Sequence, residues 1–115
     1  MPRMPTAYLL TGETDTAAHP IANELVIGRG EQADLLLADI TVSRRHASVR
    51  QDGHTVVVTD LDSANGTYVN GERVYDGTRL EDGDVIQLGN AEVRIRVDRR
   101  GPDEPTPTEI LSRPR

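Results

Sequence analysis

Glu92-Val93-Arg94-Ile95-Arg96-Val97 alternates charged and branched aliphatic residues without a break. Successive side chains of an extended chain point to opposite faces, so a spacing of two predicts a strand with one wet face and one face on a core. Ala47-Ser48-Val49-Arg50 reads the same way. Further short apolar runs lie at Ala7 to Leu10, Leu25 to Ile27, Asp34 to Leu37, His46 to Arg50, Thr55 to Asp60, Thr67 to Val69 and Asp84 to Leu88. None holds a helical period over eleven residues or more.

Turn chemistry separates these runs. Asp52-Gly53 and Asn70-Gly71 are dipeptides that accept positive φ in tight hairpins, and Asp82-Gly83 marks another reversal. Strands joined in this way are antiparallel. Brief strands with turn signals at close intervals predict an all-β fold, a two-sheet antiparallel β-sandwich. At 115 residues the chain has room for one such domain. It lacks Phe and Trp, so the core must come mainly from Val, Ile and Leu, which suit a pleated surface.

Residues 1–6 read as a disordered N-terminus and 7–98 as the folded domain. Residues 99–115, with Gly101-Pro102-Asp103-Glu104-Pro105-Thr106-Pro107-Thr108, read as a flexible tail or linker, too proline-rich and polar to pack.

The absence of cysteine removes disulfides, thiolate nucleophiles and Cys-type zinc sites together. No apolar run approaches the ~20 residues that span a bilayer, and Met1 to Thr6 lacks the pattern of a signal peptide. The expectation is a cytoplasmic protein. A net charge of -6 argues against nucleic acid or an anionic membrane as partner, since counterion release needs a basic surface. Positive charge is nevertheless concentrated locally in Arg29, Arg44, Arg45 and Arg50.

Three stretches stand out: Ile27-Gly28-Arg29, Ser43-Arg44-Arg45-His46 and Ser63-Ala64-Asn65-Gly66-Thr67. A phosphorylated side chain carries about -1.5 to -2 charges and three acceptor oxygens, so its receptor needs a permanent cation and several neutral donors. Arg29 supplies a forked cation. The Ser43 hydroxyl and nearby backbone N–H groups supply neutral donors, and Arg44 adds a second charge. The Asn65 amide suits the backbone of a peptide. Each stretch alone has a duller reading: a solvated strand-end arginine, a turn-capping serine, a hairpin Asn-Gly. His46 has no triad partner nearby in sequence and reads as a hydrogen-bonded structural residue.

In order and spacing these residues resemble the forkhead-associated (FHA) domain. The match extends through Asp60-Leu61-Asp62-Ser63-Ala64-Asn65-Gly66-Thr67-Tyr68-Val69-Asn70-Gly71 and Leu80-Glu81-Asp82-Gly83-Asp84-Val85-Ile86-Gln87-Leu88-Gly89, and covers about Ala7 to Val97. The resemblance implies a sandwich of about eleven short strands, and a module of Ser/Thr kinase signalling that binds phosphothreonine peptides with loops at one end. By similarity Arg29 and Ser43 contact the phosphate, Arg44 assists, and Asn65 holds the peptide main chain. Gly28, His46 and Gly66 shape the loops. Arg45 and Gly30, in the Gly30 to Ala33 loop, are the candidates for peptide selection. Ala64 departs from the family, which often has Ser or Thr there, and removes one neutral donor.

Other chemistries fit less well. Gly28-Arg29-Gly30-Glu31-Gln32-Ala33 imitates a dinucleotide fingerprint, but Asp34-Leu35-Leu36-Leu37 reads as a strand where a helix is required. Asp60 to Asn65 opens like a calcium loop, yet Asn65 stands where Gly is needed and Gly71 where a bidentate Glu should close it. Glu81, Asp82 and Asp84 have no evident acid–base partner. The expectation is therefore a binding module, with no enzyme activity, no cofactor and no metal. The competing reading is an FHA-fold scaffold or dimerisation domain that ignores phosphate, for which Ala64 is the best support. Thr106 and Thr108 are candidate phosphosites. Phosphorylation at Thr108 would place Leu111 three residues on and let the tail occupy its own domain or a neighbouring copy.

Overall fold

The computed structural model describes residues 6–11, 17–53 and 55–98, and within them the chain forms eleven strands and no helix. In chain order these are β1 (Thr6–Thr11), β2 (Ala17–Pro20), β3 (Glu24–Gly28), β4 (Leu35–Leu36), β5 (Ala47–Asp52) and β6 (Thr55–Asp60). There follow β7 (Thr67–Val69), β8 (Glu72–Val74), β9 (Thr78–Leu80), β10 (Val85–Leu88) and β11 (Ala91–Asp98). One sheet has the order β2-β1-β11-β10-β7-β8 and the other β4-β3-β5-β6-β9, the two layers of a β-sandwich. Thr6, at the start of β1, pairs with Asp98 at the end of β11. Thr106, Thr108 and the rest of the tail lie outside the described residues.

The period-two pattern does what it predicts in β11, where Val93, Ile95 and Val97 are buried while Glu92, Arg94 and Arg96 are exposed. Leu9 of β1, Ile27 of β3, Val56 and Val58 of β6, Leu80 of β9 and Ile86 and Leu88 of β10 complete an aliphatic core. Strand β5 departs from the expectation. Ser48, read as a wet position, is buried, because β5 is central and Val26 of β3 and Thr59 of β6 flank it in register.

The expectation of purely antiparallel pairing also fails at one place. β3 and β4 run parallel, with Ile27 opposite Leu35 and Gly28 opposite Leu36. No Asx-Gly reversal joins them. Instead residues 29–34 make a wide loop, closed by the Ala33 N–H on the Gly30 carbonyl at 3.1 Å, that brings the chain back alongside β3 in the same direction. Asp34 fixes this edge. Its N–H donates to the Val26 carbonyl at 2.8 Å, and its Oδ2 accepts from the Val26 N–H at 2.8 Å.

Asn70-Gly71 forms the β7–β8 hairpin with φ values of 50° and 88°, the two positive angles of a primed turn. The acidic turn before β10 is structural. Asp84 accepts from the Glu81 N–H and from Asn70 Nδ2, at 2.7 and 2.9 Å, while Asp82 accepts from the Val97 N–H at 2.8 Å.

Candidate functional site

The loop before β5 is stitched onto the end of β3. Arg29 N–H donates to the Ser43 carbonyl at 3.0 Å, Gly30 N–H to the Arg44 carbonyl at 3.1 Å, and His46 N–H to the Ile27 carbonyl at 2.8 Å. These contacts need bare backbone at Gly28. A Cβ there would lie 1.9 Å from the Arg44 oxygen and 3.1 Å from the Arg45 Cα, so the glycine serves close approach. Arg29 is tethered by its inner nitrogen, Nε donating to the Val42 carbonyl at 2.9 Å. Its two terminal nitrogens have no partner among the described residues, and the side chain is exposed.

His46, fully buried, joins this loop to the one between β6 and β7. The Ser43 N–H donates to Nδ1 at 3.0 Å, which makes Nδ1 the acceptor and puts the proton on Nε2. Nε2 then donates to the Gly66 carbonyl at 2.8 Å. Two more bonds cross the same gap: the Ala64 N–H donates to Ser43 Oγ at 3.0 Å, and Asn65 Nδ2 donates to the Thr41 carbonyl at 2.8 Å. Ser43 therefore uses its oxygen internally and keeps its hydroxyl proton for an outside acceptor. Asn65 is part of the loop scaffold as well as a candidate peptide contact. Its Oδ1 and one amide proton have no partner among the described residues.

Both loops carry an internal carboxylate brace; Asp60, which the sequence suggests as a turn former or a partner for a nearby arginine, takes the first of these roles. Asp60 Oδ1 accepts from Ser63 Oγ at 2.5 Å and from Thr67 Oγ1 at 2.7 Å, and its Oδ2 accepts from the Ser63 N–H at 3.1 Å. Burial pushes this carboxyl up, but the Ser63 and Thr67 bonds outweigh it and hold it below the ordinary aspartate value. Ser63 Oγ in turn accepts from the Gly66 N–H at 2.9 Å. Gly66 itself has φ of 87°, and a Cβ there would lie 3.0 Å from Nε of Arg73. On the facing loop, Asp39 Oδ1 accepts from Thr41 Oγ1 at 2.5 Å and from the Thr41 N–H at 2.9 Å, which holds Asp39 below its usual range too. The signals were present as Asp39-x-Thr41 and Asp60-x-x-Ser63, spacings that favour local side-chain capping of turns.

Arg29, Ser43 and Asn65 are thus brought to one end of the sandwich and linked through residues 41–44. Arg44 and Arg45 are exposed beside them and form no ion pair among the described residues. Together with Arg29, Gly30, Glu31 and Gln32 they line an open hollow of about 620 Å³. Ser43 and Asn65 do not line it. The arrangement presents fixed cations and neutral donors on pre-braced loops, which is what an anionic group on an extended ligand requires.

The FHA domain family model matches residues 25–89, which include every one of these groups. The chain is 47% identical over 72 residues to the FHA domain-containing protein FhaA of Mycobacterium tuberculosis, a match covering 63% of this chain and 14% of that protein. It spans between 14% and 54% of the length of the curated relatives it matches first. Among solved structures, an FHA domain described in connection with phosphothreonine-dependent FHA domain interactions shares 38% identity at a TM-score of 0.73, over 79% of this chain and 95% of that one. Mycobacterium tuberculosis EmbR in complex with a low affinity phosphopeptide shares 32% identity at a TM-score of 0.75, over 84% of this chain and 25% of that one. With the family model across more than half its length and a similar domain matched nearly end to end, this chain belongs to the FHA domain family.

Proposed function

We propose that this chain is a non-catalytic module that binds phosphothreonine-bearing segments of other proteins in Ser/Thr kinase signalling. Arg29 and Ser43 hold the phosphate, Arg44 adds charge, and Asn65 engages the peptide main chain. One observation carries this: the free nitrogens of Arg29, the unspent hydroxyl proton of Ser43 and the half-used amide of Asn65 sit on loops tied together through residues 41–44. Those groups match a dianionic ester and a peptide bond. Two similar solved structures, one connected with phosphothreonine-dependent interactions and one holding a phosphopeptide, support the same reading. The module acts in the cytoplasm, where Ser/Thr kinases would generate its ligands.

The test is a titration with one peptide in phosphothreonine, phosphoserine and unmodified forms. Phosphothreonine binds best and the unmodified peptide at least tenfold more weakly. Arg29→Ala removes two or more charge-assisted bonds worth about 1.5–3 kcal/mol each and lowers affinity tenfold or more. Arg29→Lys recovers part of it, because the charge returns without the planar fork. Equal affinity for modified and unmodified peptide would leave the phosphate-independent scaffold as the better account.

A further inference from the structure

We infer that the hollow walled by Arg29, Arg44 and Arg45 takes a second anionic group of the ligand, a carboxylate or another phosphate within a few residues of the phosphothreonine, with Arg45 as its main partner. This rests on the phosphothreonine reading above. Arg29 and Arg44 line the hollow while Ser43 and Asn65 do not, so it adjoins the proposed phosphate position and reaches from there to Arg45 and the loop of residues 30–32. Its volume of about 620 Å³ falls within the range of about 300–1,000 Å³ usual for ligand sites and exceeds what one phosphate occupies.

Charge gives the class of occupant. Three guanidiniums face one carboxylate, that of Glu31, on a chain whose net charge is -6. A phosphothreonine held by Arg29 and Arg44 balances those two cations. Arg45 remains, exposed and unpaired among the described residues, with a fork suited to a carboxylate or phosphate. The main-chain N–H groups of Glu31 and Gln32, both in the wall, also lack acceptors among the described residues and supply neutral donors. Glu31 opposes any second anion and so sets how much is gained.

The experiment uses a singly phosphorylated peptide with alanine at the three positions on each side of its phosphothreonine. Glutamate, and separately a second phosphothreonine, replaces each alanine in turn, with binding to the intact chain followed by calorimetry. A gain of about three- to tenfold is expected at positions on one side only, shrinking as salt shortens the Debye length. Whether glutamate or the second phosphate gains more tells which source the hollow prefers. In Arg45→Gln the gain vanishes, whatever that variant does to the parent peptide. In Glu31→Gln it grows. Both residues are exposed, and thermal melts check that the variants fold. No gain at any position, or a gain untouched by both substitutions, overturns the inference while leaving phosphothreonine binding intact. A parent peptide that binds no better than its unmodified form brings down both.

Discussion

Replacing Gly28 by alanine tests whether the end of β3 and the Ser43–Arg45 loop form one rigid unit. The new Cβ would meet the Arg44 carbonyl oxygen at 1.9 Å and its carbon at 2.7 Å, where ordinary contacts begin near 3.4 Å. Backbone cannot rotate aside like a side chain, so the loop must lift by about 1.5 Å. Lifting by that much stretches the bonds from Arg29 N to Ser43 O and from Gly30 N to Arg44 O, now 3.0 and 3.1 Å, beyond useful length. Two lost bonds at about 0.5–1.5 kcal/mol each, with overpacking strain of about 1–3 kcal/mol, give a loss of roughly 2–6 kcal/mol. For a domain of this size, at about 4–8 °C per kcal/mol, that lowers the melting temperature by about 8–48 °C. Arg29 also parts from Ser43, so phosphothreonine peptide affinity falls more than tenfold even where the variant is fully folded. Thermal melts and peptide titration at a temperature below the transition measure both. A variant that melts within about 2 °C of the parent and binds as tightly would refute the close-approach reasoning.

Three further outcomes are expected. His46→Ala strands the Ser43 N–H and the Gly66 carbonyl and leaves a cavity, costing about 2–4 kcal/mol in urea unfolding; a loss under 0.5 kcal/mol means the ring does not join the two loops. Ala64→Ser adds a hydroxyl to an exposed position whose N–H already contacts Ser43, and strengthens phosphopeptide binding about two- to tenfold by calorimetry; unchanged affinity would show that this side chain faces away from the ligand. Asp60 is held below its unfolded value of about 3.9, so its stabilisation is complete above that pH and is lost as pH falls through the lower folded value. Melts of the parent between pH 5 and 2.5 therefore fall more steeply than those of Asp60→Asn, and parallel curves would remove Asp60 as a titrating brace.

Strands were legible where neighbours in sequence alternate, as in β11, or form an aliphatic run bounded by turns, as in β6 and β10. β2 was not, because Ala17-Ala18-His19-Pro20 has no period and gains its conformation from pairing with β1. β9 is three residues long, too short for a pattern, and is placed by its register with β6. Candidate site residues could be named from their order and family likeness, but the side-chain bonds that tie their loops together reach across 13 to 24 positions, as from Arg29 to Val42 and from Asn65 to Thr41. No local pattern encodes such pairs.

By itself the sequence determined the β class, the aliphatic composition of the core and the residues able to hold an anion, since each follows from side-chain chemistry and spacing of two. Tertiary structure alone decided the parallel turn of β4 onto β3, the tautomer of His46, the need for bare backbone at Gly28 and the meeting of Arg29, Arg44 and Arg45 around one hollow. These depend on which distant segments touch, and contact between segments is settled by the packing of two whole sheets.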